Sequence, residues 1–362
     1  MKIGIVTQWR NQGQATLSRH LRDVLDGLGH ETFVLARPTR DQHLLPGVIA
    51  HDDVWNQPRV TDAANYDITA DEYRAWVDGN GIEALFLNQN YQFDVLKRLR
   101  SRGVRTFGFF VWESFRADHV DAARAAYDVV YSLNACSRDR YAALGLDTPL
   151  LRWGIHPELL AAQVAPRDER TVRLFFPGGV LGGRKPIAAV LAAFRAVPDP
   201  RLRLVFKTQV EQGRGERVDL GDDPRVETVV ADLPCADYFR LFASCHASIA
   251  VSRWEGMGLH FFEAPAFGMP SIANDYPPMN ELVRDGWNGL LVKSHVGGKT
   301  KSGIPSIEPD VADLTRAFEA IADDPTRERL SRGAVEQRAE LDWKHTIEDF
   351  ERLLAPFARR GA

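Results

Sequence analysis

Short apolar runs of strand length recur along this chain, each followed by a segment long enough for a helix, and the rhythm starts twice. No other feature constrains the fold as much. Strand–helix–strand units leave neighbouring strands parallel and place the helices over the faces of the sheet. In the first half the runs are 2–7, 32–36, 84–87, 106–111 and 129–133, apolar at successive positions as strands covered on both faces must be. The spacing predicts an amphipathic helix over about 15–28, closed by Gly29, and another around 137–144. Residues 37–69 carry scattered prolines and yield no element. The pattern restarts at 172–176 and continues with strands at 203–207, 226–230 and 246–252, and helices at 186–197 and 235–243. Pro186 stands at a helix start, where its missing N–H is tolerated. Residues 293–309, polar and containing glycines, read as a surface loop, and helices fill about 311–357. The class is α/β, with two Rossmann-like domains.

The 362 residues suffice for two domains of ordinary size. A hydrophobic share of 44% beside 26% charged residues is that of a soluble protein. A formal charge of −4 and the lack of a long basic tract argue against a nucleic-acid partner. Cys136, Cys235 and Cys245 are odd in number and lack metal-ligand spacing, which fits a reduced cytoplasm. Residues 2–7 enter a strand at once and are too short an apolar run for a signal peptide. No stretch of about 18 apolar residues occurs, so no transmembrane segment is expected, while peripheral membrane contact stays open.

The chemistry concentrates at 253–270. A buried-strand run at 246–252 leads into a glycine turn and then a helix-like segment, with Glu255 before the turn and Glu263 about one turn into the helix. Such a junction presents backbone N–H groups to an anion, at the carboxyl ends of strands where open parallel sheets bind ligands. A diphosphate on the amides of Gly258 and Leu259, beside Met257 and flanked by two carboxylates seeking hydroxyls, suits a nucleotide sugar. Pro265 inside the helix removes a backbone bond, so that helix starts late or bends after Glu263.

Glu255 and Glu263 resemble the Glu-x7-Glu motif of retaining GT-B glycosyltransferases, especially glycosyltransferase family 4 (GT4). Gly268-Met269-Pro270-Ser271-Ile272 is similar to that family's Gly-x-Pro-Val-Ile strand. Residues 278–292 resemble its Pro-Glu-Leu-Val-x-Asp-Gly-x-Asn-Gly-Leu-Leu-Val segment. The resemblance implies a GT-B fold, in which two Rossmann-like domains with parallel sheets face each other across a central cleft. Residues 1–165 would bind the acceptor and 166–340 the nucleotide-sugar donor, with a linker at 161–171 and a final helix, 341–362, crossing back to the first domain. The implied activity is metal-independent transfer of a sugar from a nucleotide diphosphate, UDP- or GDP-linked, to a hydroxyl of a small molecule or glycan, with no cofactor. A nucleotide-sugar epimerase of the same fold and a non-catalytic nucleotide- or glycan-binding module are the alternatives.

By the same resemblance Glu263 accepts hydrogen bonds from the ribose, and Glu255 binds sugar hydroxyls and stabilises positive charge on the ring. Lys185, after the glycine-rich loop 178–183, aligns with the family's phosphate-binding lysine. The arginine expected six positions earlier is replaced by Gly179, so Arg184 or Lys207 is expected to supply the second cation. Gly13, in the loop after the first strand, lets backbone approach the donor. Trp112-Glu113 stands where the family often has a histidine, which makes Glu113 a catalytic candidate; His119 reads as a helix-surface residue. Asn88, Gln89 and Asn90 form an amide-rich strand end suited to acceptor hydroxyls.

Overall fold

The computed structural model describes residues 1–10, 13–38, 53–180, 182–209 and 220–357. The chain divides into two compact units, Met1–Trp153 with Trp343–Ala362, and Gly154–Asp342. The first unit contains β1 (Lys2–Gln8), α1 (Gly13–Gly27), β2 (Glu31–Arg37), β3 (Val60–Asp62), α2 (Ala70–Asn80) and β4 (Ala84–Asn88). It continues with α3 (Phe93–Ser101), β5 (Arg105–Phe109), α4 (Val120–Ala126), β6 (Val129–Tyr131) and α5 (Ala135–Ala143). The second contains α6 (Pro157–Ala161), β7 (Val172–Gly179), α7 (Ile187–Ala196), β8 (Leu202–Thr208), β9 (Val226–Val230), α8 (Cys235–Ala243) and β10 (Ala247–Ala250). After these come α9 (His260–Ala266), β11 (Ser271–Asn274), β12 (Gly289–Val292), β13 (Ser294–Lys299), β14 (Pro305–Pro309), α10 (Val311–Ala322) and α11 (Asp324–Glu336); α12 (Trp343–Leu354) returns to the first unit.

Each unit is built on a six-stranded, wholly parallel sheet. The orders are β3-β2-β1-β4-β5-β6 and β12-β11-β10-β7-β8-β9. Numbered from its own first strand, the second sheet has the same order as the first, that of a doubly wound nucleotide-binding fold. The order reverses between β1 and β4 in one unit and between β7 and β10 in the other. The loops leaving the carboxyl ends of those strands are where such sheets hold ligands.

The apolar pattern explains the elements. Ile3, Ile5 and Val6 of β1 are fully buried, and Leu17, Leu21, Val24 and Leu25 line one face of α1. Gly29 takes φ 78°, a left-handed turn open to glycine, where the helix ends. Phe86 stacks on Phe107 at 4.7 Å, and Phe350 of α12 packs edge-on to Tyr131 at 5.6 Å. Asp349 of α12 is buried and accepts from the backbone N–H of Arg152 at 2.8 Å and from its guanidinium at 2.7 Å. Burial opposes ionisation of Asp349, but the bonds from Arg152 outweigh it and hold the carboxyl below its ordinary range.

Two expectations change. Residues 293–309 are not an irregular loop: β13 and β14 form an antiparallel hairpin in which Val296 pairs with Ile307. Ile307 is buried among Ala250, Phe261, Ala273, Met279 and Val283, and Ile304 just before β14 is fully buried as well, so these apolar residues fasten the hairpin to the unit. Residues 154–165 lie with the second unit, and the stretch expected as a linker, 161–171, follows α6 inside it. The Ile155 N–H donates to the Leu341 carbonyl at 2.8 Å, and a Cβ on Gly154 would sit 2.6 Å from the same oxygen. Among the described residues, no helix is long and apolar enough to cross a membrane.

Candidate active site

β7 and β10 are neighbours at the point where the second sheet reverses, so the loops following them converge. The first supplies Arg184 and Lys185; the second supplies Ser252, Glu255 and Gly258. Arg184 Nη1 donates to Glu255 Oε1 at 3.0 Å. Lys185 Nζ donates to Ser252 Oγ at 2.7 Å and to Glu255 Oε2 at 3.5 Å. Ser252 Oγ donates in turn to Glu255 Oε2 at 3.1 Å. Glu255 is thereby held by two cations and a hydroxyl although it is only 7% exposed.

Burial alone would push the Glu255 carboxyl up. The Lys185 ammonium and Arg184 guanidinium overcome that and bring its pKa down to about 2, so it is ionised at any physiological pH. Burial draws the Lys185 ammonium below the ordinary lysine value, and Glu255 opposes the shift. His260, at the start of α9, is buried and drawn down to about 4, first by burial and then by the Lys185 charge, which leaves a neutral imidazole beside the cluster.

Glu263 is the opposite case. It lies in the first turn of α9, and Tyr238 of α8 donates to its Oε2 at 3.0 Å. Burial raises its pKa to about 7, the Tyr238 bond offsetting part of that rise. Two carboxylates on one loop–helix segment are thus driven to opposite ends of the carboxyl range, the pattern by which sites divide roles between acids. Gly258 joins them with φ 69°, and a Cβ there would meet the Phe261 ring at 2.6 Å and Glu255 Cγ at 3.1 Å. Any side chain at 258 would displace the glutamate or the helix start. Met257 and Leu259, on either side, are half-buried. Pro265 falls in the last turn of α9, which ends at Ala266; the helix is short rather than bent.

The second cation beside Glu255 is Arg184. Lys207 ends an inner strand, 7% exposed, where burial lowers its pKa and the nearest compensating acid is Asp232. It does not join the Glu255 cluster because β8 lies on the far side of β7 from β10.

In the first unit, Gly13 begins α1 after β1, and Asn88, Gln89 and Asn90 close β4 on the other side of that sheet's reversal. Gln14 Nε2 donates to the Asn88 carbonyl at 3.0 Å, which ties the two loops together. Gln89 adopts φ 51°, a left-handed conformation that costs a non-glycine residue energy and concentrates at functional positions. Asn90 is spent on packing, its amide donating to the Tyr73 hydroxyl at 2.6 Å. Glu113 is 8% exposed in the turn after β5, a turn whose Trp112 and Phe115 carbonyls accept from Arg140 at 2.9 and 3.1 Å. His119 is not a helix-surface residue: its ring lies 4.9 Å from Tyr91 and 5.5 Å from Phe115. Ser252, Tyr238 and His260 escaped the sequence reading. A serine closing an apolar strand just before an acid was the available sign for the first, whereas Tyr238 is brought in by tertiary packing alone.

The paired sheets, with ion-paired loops at the reversal of the second, define a GT-B protein. Solved structures of that class match over nearly the whole chain. Sucrose-phosphate synthase from Thermosynechococcus elongatus aligns with a TM-score of 0.73 at 16% identity, covering 99% of both chains. Anabaena Alr3699/HepE in complex with UDP-glucose aligns with a TM-score of 0.74 at 15% identity, covering 98% of this chain and 100% of that one. At such identities the likeness establishes the fold. Residues 232–310, which hold Glu255 and Glu263, match the family described as glycosyl transferases group 1. The D-inositol 3-phosphate glycosyltransferase of Stackebrandtia nassauensis is 29% identical over 194 residues, 47% of this chain and 39% of that protein. The matched stretch spans less than half of that relative's length.

Proposed function

We propose that this protein transfers a glycosyl group from a nucleoside diphosphate sugar to a hydroxyl acceptor, with retention of anomeric configuration and without a metal ion. The observation that carries the reading is Glu255, buried and ionised between Lys185 and Arg184 beside Gly258. Two cations against one carboxylate leave the cluster net positive, as a site for a departing diphosphate requires. Lys185, Arg184 and the amides of Gly258 and Leu259 bind the diphosphate, and Glu255 faces the sugar ring, where positive charge builds. The leaving phosphate takes the acceptor proton, so no separate carboxylate base is needed. Asn88 and Gln89 contact acceptor hydroxyls, Glu113 the sugar or acceptor, and Gly13 allows backbone approach. UDP- or GDP-linked donors fit, and the three free cysteines suit the cytoplasm.

Thermal unfolding with UDP, GDP, ADP and TDP, followed by their sugars with an acceptor panel, tests this. One nucleotide is expected to raise the midpoint in proportion to its binding to the folded state. No shift with any of them, or donor turnover that yields only an epimerised sugar nucleotide by NMR, would sink the assignment.

Glu263 adds a pH signature. Ribose hydroxyls donate to a carboxylate, so binding favours the ionised form, whereas in the free protein that carboxyl titrates at about 7. Nucleotide affinity is expected to fall as pH drops through 7, because bound protons must first leave. Glu263→Gln should flatten the profile between pH 6 and 8 in calorimetric titrations (roughly one pH unit to either side of the raised pKa).

A further inference from the structure

Arg253 sits between Ser252 and Trp254, two positions before Glu255, yet it serves the opposite loop. Its guanidinium pairs with Glu308 of β14 and donates from Nη1 to the carbonyls of Gly183 at 2.9 Å and Lys185 at 3.2 Å. Its backbone N–H donates to the Arg184 carbonyl at 2.8 Å, and its own carbonyl accepts from the Ile307 N–H at 2.8 Å. One residue therefore engages the carbonyls of 183, 184 and 185 in succession, and the side chains of the last two are those that meet Glu255.

From this geometry we infer that Arg253, braced by Glu308 of the hairpin, is a positioning residue that fixes the 183–185 backbone so that Arg184 and Lys185 are preset for the donor diphosphate. The inference rests on the donor-site reading above. Its physical basis is the loop itself. Gly182 and Gly183 precede the cations and give that backbone wide freedom, and Cβ atoms built on them would meet nothing within 4 Å. Unbraced, the loop would have to be ordered each time a diphosphate bound, and charges held in advance avoid that reorganisation. The brace is itself anchored. Ile307, beside Glu308, is buried in the core cluster, and a Cβ on Gly297 of the opposite strand would sit 2.6 Å from Glu308 Cγ. The Glu308 stem thus packs directly over Gly297 while its carboxylate meets Arg253.

The test measures binding of UDP and GDP by calorimetry, and of uridine and guanosine by NMR shifts, to the full chain and to Arg253→Gln, Arg253→Lys, Glu308→Gln and Lys185→Ala. Unfolding midpoints of the same samples separate folding from binding. Arg253→Gln is expected to weaken diphosphate binding about tenfold and leave nucleoside binding unchanged, a loss of about 1.4 kcal/mol. Glu308→Gln should act the same way more weakly, and Arg253→Lys should restore part of the loss. Equal losses for nucleoside and diphosphate, or unchanged diphosphate binding in Arg253→Gln while Lys185→Ala is weakened, would overturn the positioning role alone. If the wild type binds neither diphosphate, or Lys185→Ala binds as tightly as wild type, the donor-site reading fails and takes this inference with it.

Discussion

Lys185→Ala is expected to lower kcat by about 10²–10³-fold, equivalent to about 3–4 kcal/mol of transition-state stabilisation. The effect is large because the Lys185 side chain is only 11% exposed and, in the proposed function, its ammonium meets the charge of the leaving group. In a site shielded from water a fixed charge acts through a weaker dielectric than it would at the surface. The substitution also strips one of the two cations from Glu255, so part of the loss arises from a carboxylate drawn toward its ordinary pKa. Lys185→Arg separates these contributions. It keeps the charge but replaces a compact ammonium by a planar fork that cannot occupy the gap between Ser252 Oγ and Glu255 in the same way. Partial recovery of kcat in Lys185→Arg, with none in Lys185→Ala, is the expected order in steady-state kinetics with the donor identified by thermal shift. Turnover of Lys185→Ala within threefold of wild type would remove Lys185 from the chemistry.

Much of the fold was legible because parallel strands covered on both faces must be apolar throughout. The runs at 2–7, 32–36, 84–87, 172–176 and 203–207 all fall within strands of the two sheets. The helix α2 carried a readable sign that went unused: Thr69 and Glu72 form the start of a capping box, Gly81 ends the helix in a left-handed turn, and the Thr69 hydroxyl accepts the Glu72 N–H at 3.2 Å. The hairpin β13–β14 was illegible for a different reason. Its first strand buries nothing fully, so the alternation that marks a half-buried strand hardly appears in Ser294–Lys299.

The site was legible residue by residue but not as a constellation. Two glutamates at a strand–glycine–helix junction pointed to Glu255 and Glu263, and the resemblance to the glycosyltransferases' phosphate-binding lysine pointed to Lys185. That Ser252 would lie between Lys185 and Glu255 depends on β7 and β10 being adjacent, a pairing that joins residues 67 positions apart. That Arg184 rather than Lys207 meets Glu255 likewise depends on which side of β7 each loop or strand falls, information that exists only once the strand order is known.

Glu255→Gln should show the second large effect, and it divides into two measurable parts. Removing one member of a buried ion pair leaves the other charge uncompensated, at a cost of about 3–5 kcal/mol when both are fully buried. Arg184 is 39% exposed and can turn to water, so the folding cost falls on Lys185 and is expected nearer the bottom of that range. Wild-type Glu255 is ionised down to about 2 in the folded chain, against 4.5 when unfolded. It therefore contributes stability that is complete above pH 4.5 and is lost as pH falls toward 2. Glu255→Gln should lack that segment of the stability profile in chemical denaturation. Catalysis should drop further than stability. The glutamine can still accept a hydrogen bond from Lys185 or a sugar hydroxyl but offers no negative charge to the forming positive ring, so kcat is expected to fall about 10²–10³-fold at temperatures where the variant is fully folded. If the acid segment disappears while kcat stays within threefold, Glu255 is a structural counter-ion for Lys185 and nothing more. If both change together, the carboxylate that keeps the two cations in place is also the group that meets the substrate's charge.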